Sequence, residues 1–192
     1  MGIAVSDVHQ AKHRLGFRGK LLAYGSAGTT AGALAGGLIG LAGSLLGADL
    51  RAALATVLGM VAIAIGLLEL TGRRLPIPQA DRETPFAWLD ISALFWSVRN
   101  GAALGFGARS RLGFWLWYVV PLGAFLSADA LIGAVGYGIY GATRTFGAGL
   151  VYRLEKRREG RATELLKLNP KARLLAAGTL VIVGIVTLLA VG

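Results

Sequence analysis

Five stretches of the chain are apolar for long enough to cross a bilayer, at about residues 21–47, 51–70, 102–126, 131–152 and 174–191. Each approaches the roughly 20 residues that a helix needs to traverse about 30 Å of hydrocarbon. Polar positions collect in a basic head over residues 1–20 and in two segments, 71–100 and 153–173. The pattern predicts an all-α integral membrane protein with five transmembrane helices in one domain over residues 21–192. The first apolar run is too long for a signal-peptide core and follows a polar head, so it reads as a span.

The cations fall on one side of that arrangement. Lys12, Arg14, Arg18 and Lys20 precede the first span, and Arg73, Arg74, Arg82 and Arg99 lie between the second and third. Arg153, Lys156, Arg157, Arg158, Arg161, Lys167, Lys171 and Arg173 precede the last. The other side carries Arg51, a short turn over 127–130 and an uncharged C-terminal end. This positive-inside bias predicts a multi-pass protein of the bacterial cytoplasmic (inner) membrane, with the N-terminus cytoplasmic and the C-terminus outside. Topology accounts for the net charge of +10, and no nucleic-acid partner is inferred from it.

Composition narrows the chemistry. Of the 192 residues, 55% are hydrophobic and 16% charged, which excludes a disordered chain and fits a soluble domain poorly. There is no cysteine, so disulfides, thiolate metal sites and thiol redox relays are excluded. The two histidines, His9 and His13, lie in the basic head. The spans hold no paired carboxylates, and no phosphate-cradling loop or nucleophile–base pair is evident. An enzyme is therefore the least favoured class, with no metal or cofactor expected.

Glycine is abundant, at 29 residues, and in the first span it is periodic. Gly28, Gly32, Gly36 and Gly40 recur every four positions, which makes a flat groove along one helix face. That groove predicts close packing against a neighbouring span, or against the same face of a second copy. The second span ends at Glu69 and Thr71-Gly72-Arg73-Arg74, a carboxylate beside arginines at an expected interface. Pro76 and Pro78 then force an extended path. From Pro85 to Val98, Trp88, Phe95 and Trp96 suit a helix lying at the membrane interface with its tryptophans at headgroup level.

The third span holds Gly101, Gly105, Gly107, Gly113 and Gly123 with Pro121, and predicts a broken helix. Arg109 and Arg111 sit at the expected break. They are cytoplasmic flanks if the span begins at Leu112, and intramembrane charges facing a cavity or a phosphate if it begins near Gly101. Arg144 lies well inside the fourth span. It either snorkels to the headgroups or marks a functional site, with Tyr140 and Thr143 as neighbouring hydroxyls.

Tyr24-Gly25-Ser26-Ala27-Gly28-Thr29-Thr30 matches Tyr137-Gly138-Ile139-Tyr140-Gly141-Ala142-Thr143 at an offset of 113, and Gly36 matches Gly149. The first and fourth spans run in opposite directions, so the match has the form of a degenerate inverted-topology repeat. With the glycine-rich stretch Gly101–Pro121, this organisation resembles the transmembrane domain of the cytochrome c biogenesis and thiol-reductant transporter family (DsbD/CcdA-like). The resemblance covers about residues 20–191. It implies two inverted three-helix repeats, the first helix of each broken at a proline-cysteine site. Here the redox cysteines are absent and Arg109-Ser110-Arg111 stands about where the second is expected. A counterpart of the family's first helix is missing as well.

Two functions follow as expectations. One is a permease-like protein or transporter component, with Arg109, Arg111 and Arg144 lining a cavity for a small anionic solute or a lipid phosphate. The other is a non-catalytic membrane subunit or assembly factor, whose glycine faces meet a membrane protein partner or a second copy. The lipid bilayer is the surrounding partner in both.

Overall fold

A computed structural model describes residues 17–73, 75–77, 93–107, 114–157 and 169–191. The described chain is helical throughout: α1 (Phe17–Ser44), α2 (Ala48–Leu70), α3 (Ala93–Phe106), α4 (Val119–Ser127), α5 (Ala130–Arg157) and α6 (Asn169–Val191). One 3-10 turn, Trp115–Tyr118, leads into α4. Residues 1–16 of the basic head, Arg74, the polar segment 78–92, residues 108–113 and 158–168 and Gly192 lie outside the described residues.

Among the described residues, α2 and the Pro170–Val191 part of α6 are long and apolar enough to cross a membrane, and both are mostly exposed. Leu175, Ile182, Val186 and Leu189 all face outward. Water does not tolerate such surfaces, whereas hydrocarbon does. The helix ends are built to stop. Gly72, with φ +83, closes α2, where Thr71 N–H and Gly72 N–H donate to the Leu67 and Glu69 carbonyls. Asp129 caps α5 by accepting from the Leu131 and Ile132 N–H groups at 2.7 and 2.9 Å. Pro121 is the third residue of α4, where its missing N–H has no helical partner to lose.

Helix α1 carries eight glycines in 28 residues, a composition that disfavours helix in water by roughly 1 kcal/mol per glycine. Tertiary packing holds it. Gly36 lies on the Gly133 carbonyl and Gly40 on that of Asp129, while a Cβ at Gly32 would meet the Tyr137 carbonyl at 2.6 Å. Each step of four up α1 is thus a step of four down α5, an antiparallel pair in backbone contact. At Gly28 a third helix joins: Gly105 of α3 and Gly141 of α5 both rest on the Gly28 carbonyl. Gly101 rests likewise on Tyr24, so α3 runs parallel to α1.

The second unit is the antiparallel pair α2 and α6, where Gly59 faces Gly184 and Gly66 faces Ala177 and Val181. Outside this pair, the main neighbour of α6 is the aromatic turn Trp115–Tyr118. Arg173 is the charge that acts on Glu69, across the end of the same pair.

The helix boundaries differ from the sequence expectation around the third span. Residues expected at the interface and residues expected to open that span form one continuous helix, α3. Trp96 is buried at 4% exposure instead of standing free at a surface. The reason is packing: Gly101 and Gly105 fit α3 against α1, and Trp96 lies on the buried side of the same helix.

Candidate functional site

Helix α3 ends at Gly107, whose φ of +79 turns the chain out of the helix. The described chain resumes at Phe114 and passes through Trp115–Tyr118 into α4. Both α3 and α4 pack on α1 and on α5, and Gly107 lies against the Trp117 ring. Together they form one interrupted segment, with the interruption beside the middle of α5. The break is at Gly107 and not at Pro121, which is accommodated in the first turn of α4.

Residues of α5 and the aromatic turn meet at this interruption. Tyr137 is buried, and its hydroxyl donates to the Phe106 carbonyl at 3.0 Å. That bond satisfies one of the carbonyls left free where α3 stops. Tyr140 packs edge-on against Tyr137, with ring centroids 5.5 Å apart. Arg144 donates from Nη1 to the Tyr140 hydroxyl, and its guanidinium lies 5.7 Å from the centre of that ring. Arg144 also acts electrostatically on Tyr24 of α1, which is buried across the helix pair.

The tryptophans complete the surroundings. The Trp117 Nε1–H is buried without a hydrogen bond of ordinary geometry, and Tyr140 is the polar group it acts on. Trp115 Nε1 is a buried donor without a partner among the described residues. The site is therefore rich in donors: a guanidinium, an indole N–H and a phenol. Such a set suits an anion more than a cation.

The residues singled out from the sequence divide. Arg144 and Tyr140 come together in direct contact. Thr143 does not join them: it is exposed, and its hydroxyl donates to the Ile139 carbonyl of its own helix at 2.8 Å. Arg109 and Arg111 lie outside the described residues, two positions beyond Gly107 and three before Phe114 in the chain. Gly28, Gly32, Gly36 and Gly40 all lie on the face of α1 that meets α5. Sequence reasoning passed over Tyr137 and Trp117 as site residues. The pairing of Tyr24 with Tyr137 at the 113-residue offset was the available signal for the first, and none existed for the second.

The packing has a local symmetry. Gly28 rests on Gly141, its counterpart at that offset, and the contact between Gly25 and Phe146 is mirrored by one between Ala33 and Gly138. Comparison with protein families, curated proteins and solved structures finds no match for the chain. Its function has to be argued from its own geometry.

Proposed function

We infer that the chain is a five-span protein of the bacterial inner membrane, a permease-like protein or transporter component that holds a small anion or lipid phosphate beside Arg144. The observation that carries this reading is the interrupted segment α3–α4, which stops against Tyr137 and restarts with Trp117 beside Tyr140, the residue that Arg144 contacts. Broken helices at mid-depth, with irregular backbone facing a cavity, are how transporters bring polar groups to a solute. Arg109 and Arg111 belong to the connection between the two halves and are assigned to the same site. The match of residues 24–30 to residues 137–143, on helices that run antiparallel, supports an inverted repeat relating α1 to α5. The DsbD/CcdA-like scaffold is proposed on the same basis, with anion chemistry in place of thiols.

Five spans require α1, α4 and α5 to lie in lipid alongside α2 and α6. Leu34 and Leu38 on α1 and Leu131, Ile132, Val135 and Ile139 on α5 are exposed apolar residues that favour this. Thr29, Thr56, Thr143, Thr179 and Thr187 each fold their hydroxyls onto the carbonyl four residues back, which disposes of polar groups in hydrocarbon.

A second reading, the non-catalytic subunit or assembly factor, is favoured by a different observation. Gly136 and Gly147 of α5 have no neighbour within 4 Å of an added Cβ, and with Thr143 they leave an open small-residue face. One experiment separates the readings. Purified protein in nanodiscs is titrated with inorganic phosphate and with acetate while tryptophan emission is followed, since Trp117 adjoins Tyr140. The permease reading expects a saturable change in the parent that Arg144→Gln abolishes, with membrane accumulation retained. No response to either anion, or equal responses in parent and variant, leaves the subunit reading.

A further inference from the structure

Asn100 of α3 has a buried carboxamide nitrogen without a hydrogen-bond partner among the described residues. An enclosed, unpaired donor is costly, and in a native fold it calls for an acceptor. Its position relative to Arg144 follows from the helix registers. Gly105 of α3 and Gly141 of α5 rest on the same carbonyl, that of Gly28, so the two glycines stand at one depth. One turn back toward the start of α3 the match repeats, since a Cβ at Gly28 would meet both the Thr145 side chain and the Gly101 carbonyl. With α3 and α5 antiparallel, Asn100 lies five residues from the Gly105–Gly141 level and Arg144 three, in the same direction. The difference between them is about 3 Å along the helix axes.

Asn100 is also on the side of α3 that leads to the neighbours of Arg144. Trp96, Asn100 and Gly107 follow one another at steps of four and seven, which puts them along one side of the helix. Trp96 is buried at one end of that side, and Gly107 lies against the Trp117 ring at the other. Trp117 in turn acts on Tyr140, to which Arg144 donates. The side of α3 that carries Phe95, Val98 and Phe106 is exposed instead. At the same level Gly101 rests on Tyr24 of α1, the buried phenol on which Arg144 acts. Helices α1, α3 and α5 thus bring Tyr24, Asn100 and Arg144 into one layer.

We propose that Asn100 is a second binding residue of the Arg144 site, its carboxamide N–H donating to the same oxyanion that Arg144 attracts. The inference rests on the anion reading above and adds a neutral, directional donor to it. A guanidinium supplies charge, whereas an amide N–H needs a lone pair aimed at it. Two donors on different helices are met by an anion with two separate oxygens, which a carboxylate or a phosphate has and chloride lacks. Asn100 therefore sets the preference for oxyanions over chloride. An oxyanion in this layer has two sources, a soluble anion and the headgroup of an anionic phospholipid.

The test uses the full chain in phosphatidylcholine nanodiscs, with tryptophan emission followed on titration with acetate, inorganic phosphate and chloride. The parent is expected to bind acetate or phosphate more tightly than chloride. Asn100→Leu weakens the oxyanion about tenfold, as loss of a hydrogen bond to a charged group does, and closes the gap to chloride. Its Tm without anion is unchanged or higher, because an unpaired amide has left the interior. Asn100→Asp keeps the shape, places a negative charge in the layer and abolishes the response, which keeps the inference testable should Asn100→Leu fold poorly. Phosphatidylglycerol added to the discs separates the sources: it suppresses the response where a headgroup is the occupant and leaves it unchanged where a soluble anion is. Parent affinities retained in both Asn100 variants, with Arg144→Gln silent, overturn the role of Asn100 and leave the anion site standing. A parent silent toward every anion overturns both.

Discussion

Arg144 meets Tyr140 twice, through its hydroxyl and across its ring face. A guanidinium in hydrocarbon is costly, and a phenol one turn away lowers that cost without neutralising the charge. On the proposed function, the remaining positive charge is what favours an anion there. Tyr137 acts on the backbone instead, since its hydroxyl supports the carbonyl at which α3 stops. Replacing Tyr137 by Phe keeps the ring and leaves that carbonyl unsupported, at a cost of about 1–3 kcal/mol. The expected outcome is a lower unfolding midpoint in detergent with folding intact. An unchanged midpoint would mean that another group holds the end of α3.

Helices pair here by glycine contact, and the contacts are specific enough to predict which glycines matter. An added methyl at Gly36 would strike the Gly133 backbone, and one at Gly105 the Gly28 backbone. Gly36→Ala and Gly105→Ala are expected to destabilise by about 1–3 kcal/mol or more, because backbone cannot give way as a side chain can. Gly178→Ala meets nothing within 4 Å and is expected to leave the unfolding midpoint unchanged or raise it. Equal effects at all three positions would refute the packing. The glycine face of α1 was legible in the sequence because a period of four lies along one side of a helix. The boundaries of α3 were not. Hydropathy weighs each residue by its preference for lipid, and it scores neither Gly101 and Gly105 against a backbone nor Trp96 buried between helices. The break was expected from glycine and proline content at Arg109 and Arg111, and the helix stops two residues earlier, at Gly107. A positive φ at Gly107 and a free first turn at Pro121 place it there.

At the scale of the molecule, two units meet: α1, α3, α4 and α5 around the Gly28 node, and the α2–α6 pair beside the aromatic turn. The helices α2 and α6 were plain in the sequence, since long apolar runs need no partner to be recognised, but their pairing was not. The helices α1 and α5, expected as the first and fourth spans, were visible by length, although among the described residues only α2 and α6 are apolar enough to count as candidate spans. That Tyr140, the residue Arg144 contacts, would lie beside Trp117 could not be seen, because the contact joins residues whose spacing carries no period. The orientation of the whole rests on the cations gathered before the first, third and fifth spans against Arg51 alone on the other side. The absence of cysteine makes that orientation directly measurable, because single cysteines can be introduced without background labelling. Cysteine is placed at Gly160 or after Gly192, and intact cells and inverted vesicles are exposed to a membrane-impermeant maleimide. The account predicts labelling after Gly192 from outside only and at Gly160 from the cytoplasmic side only; labelling of both positions from the same side would contradict it.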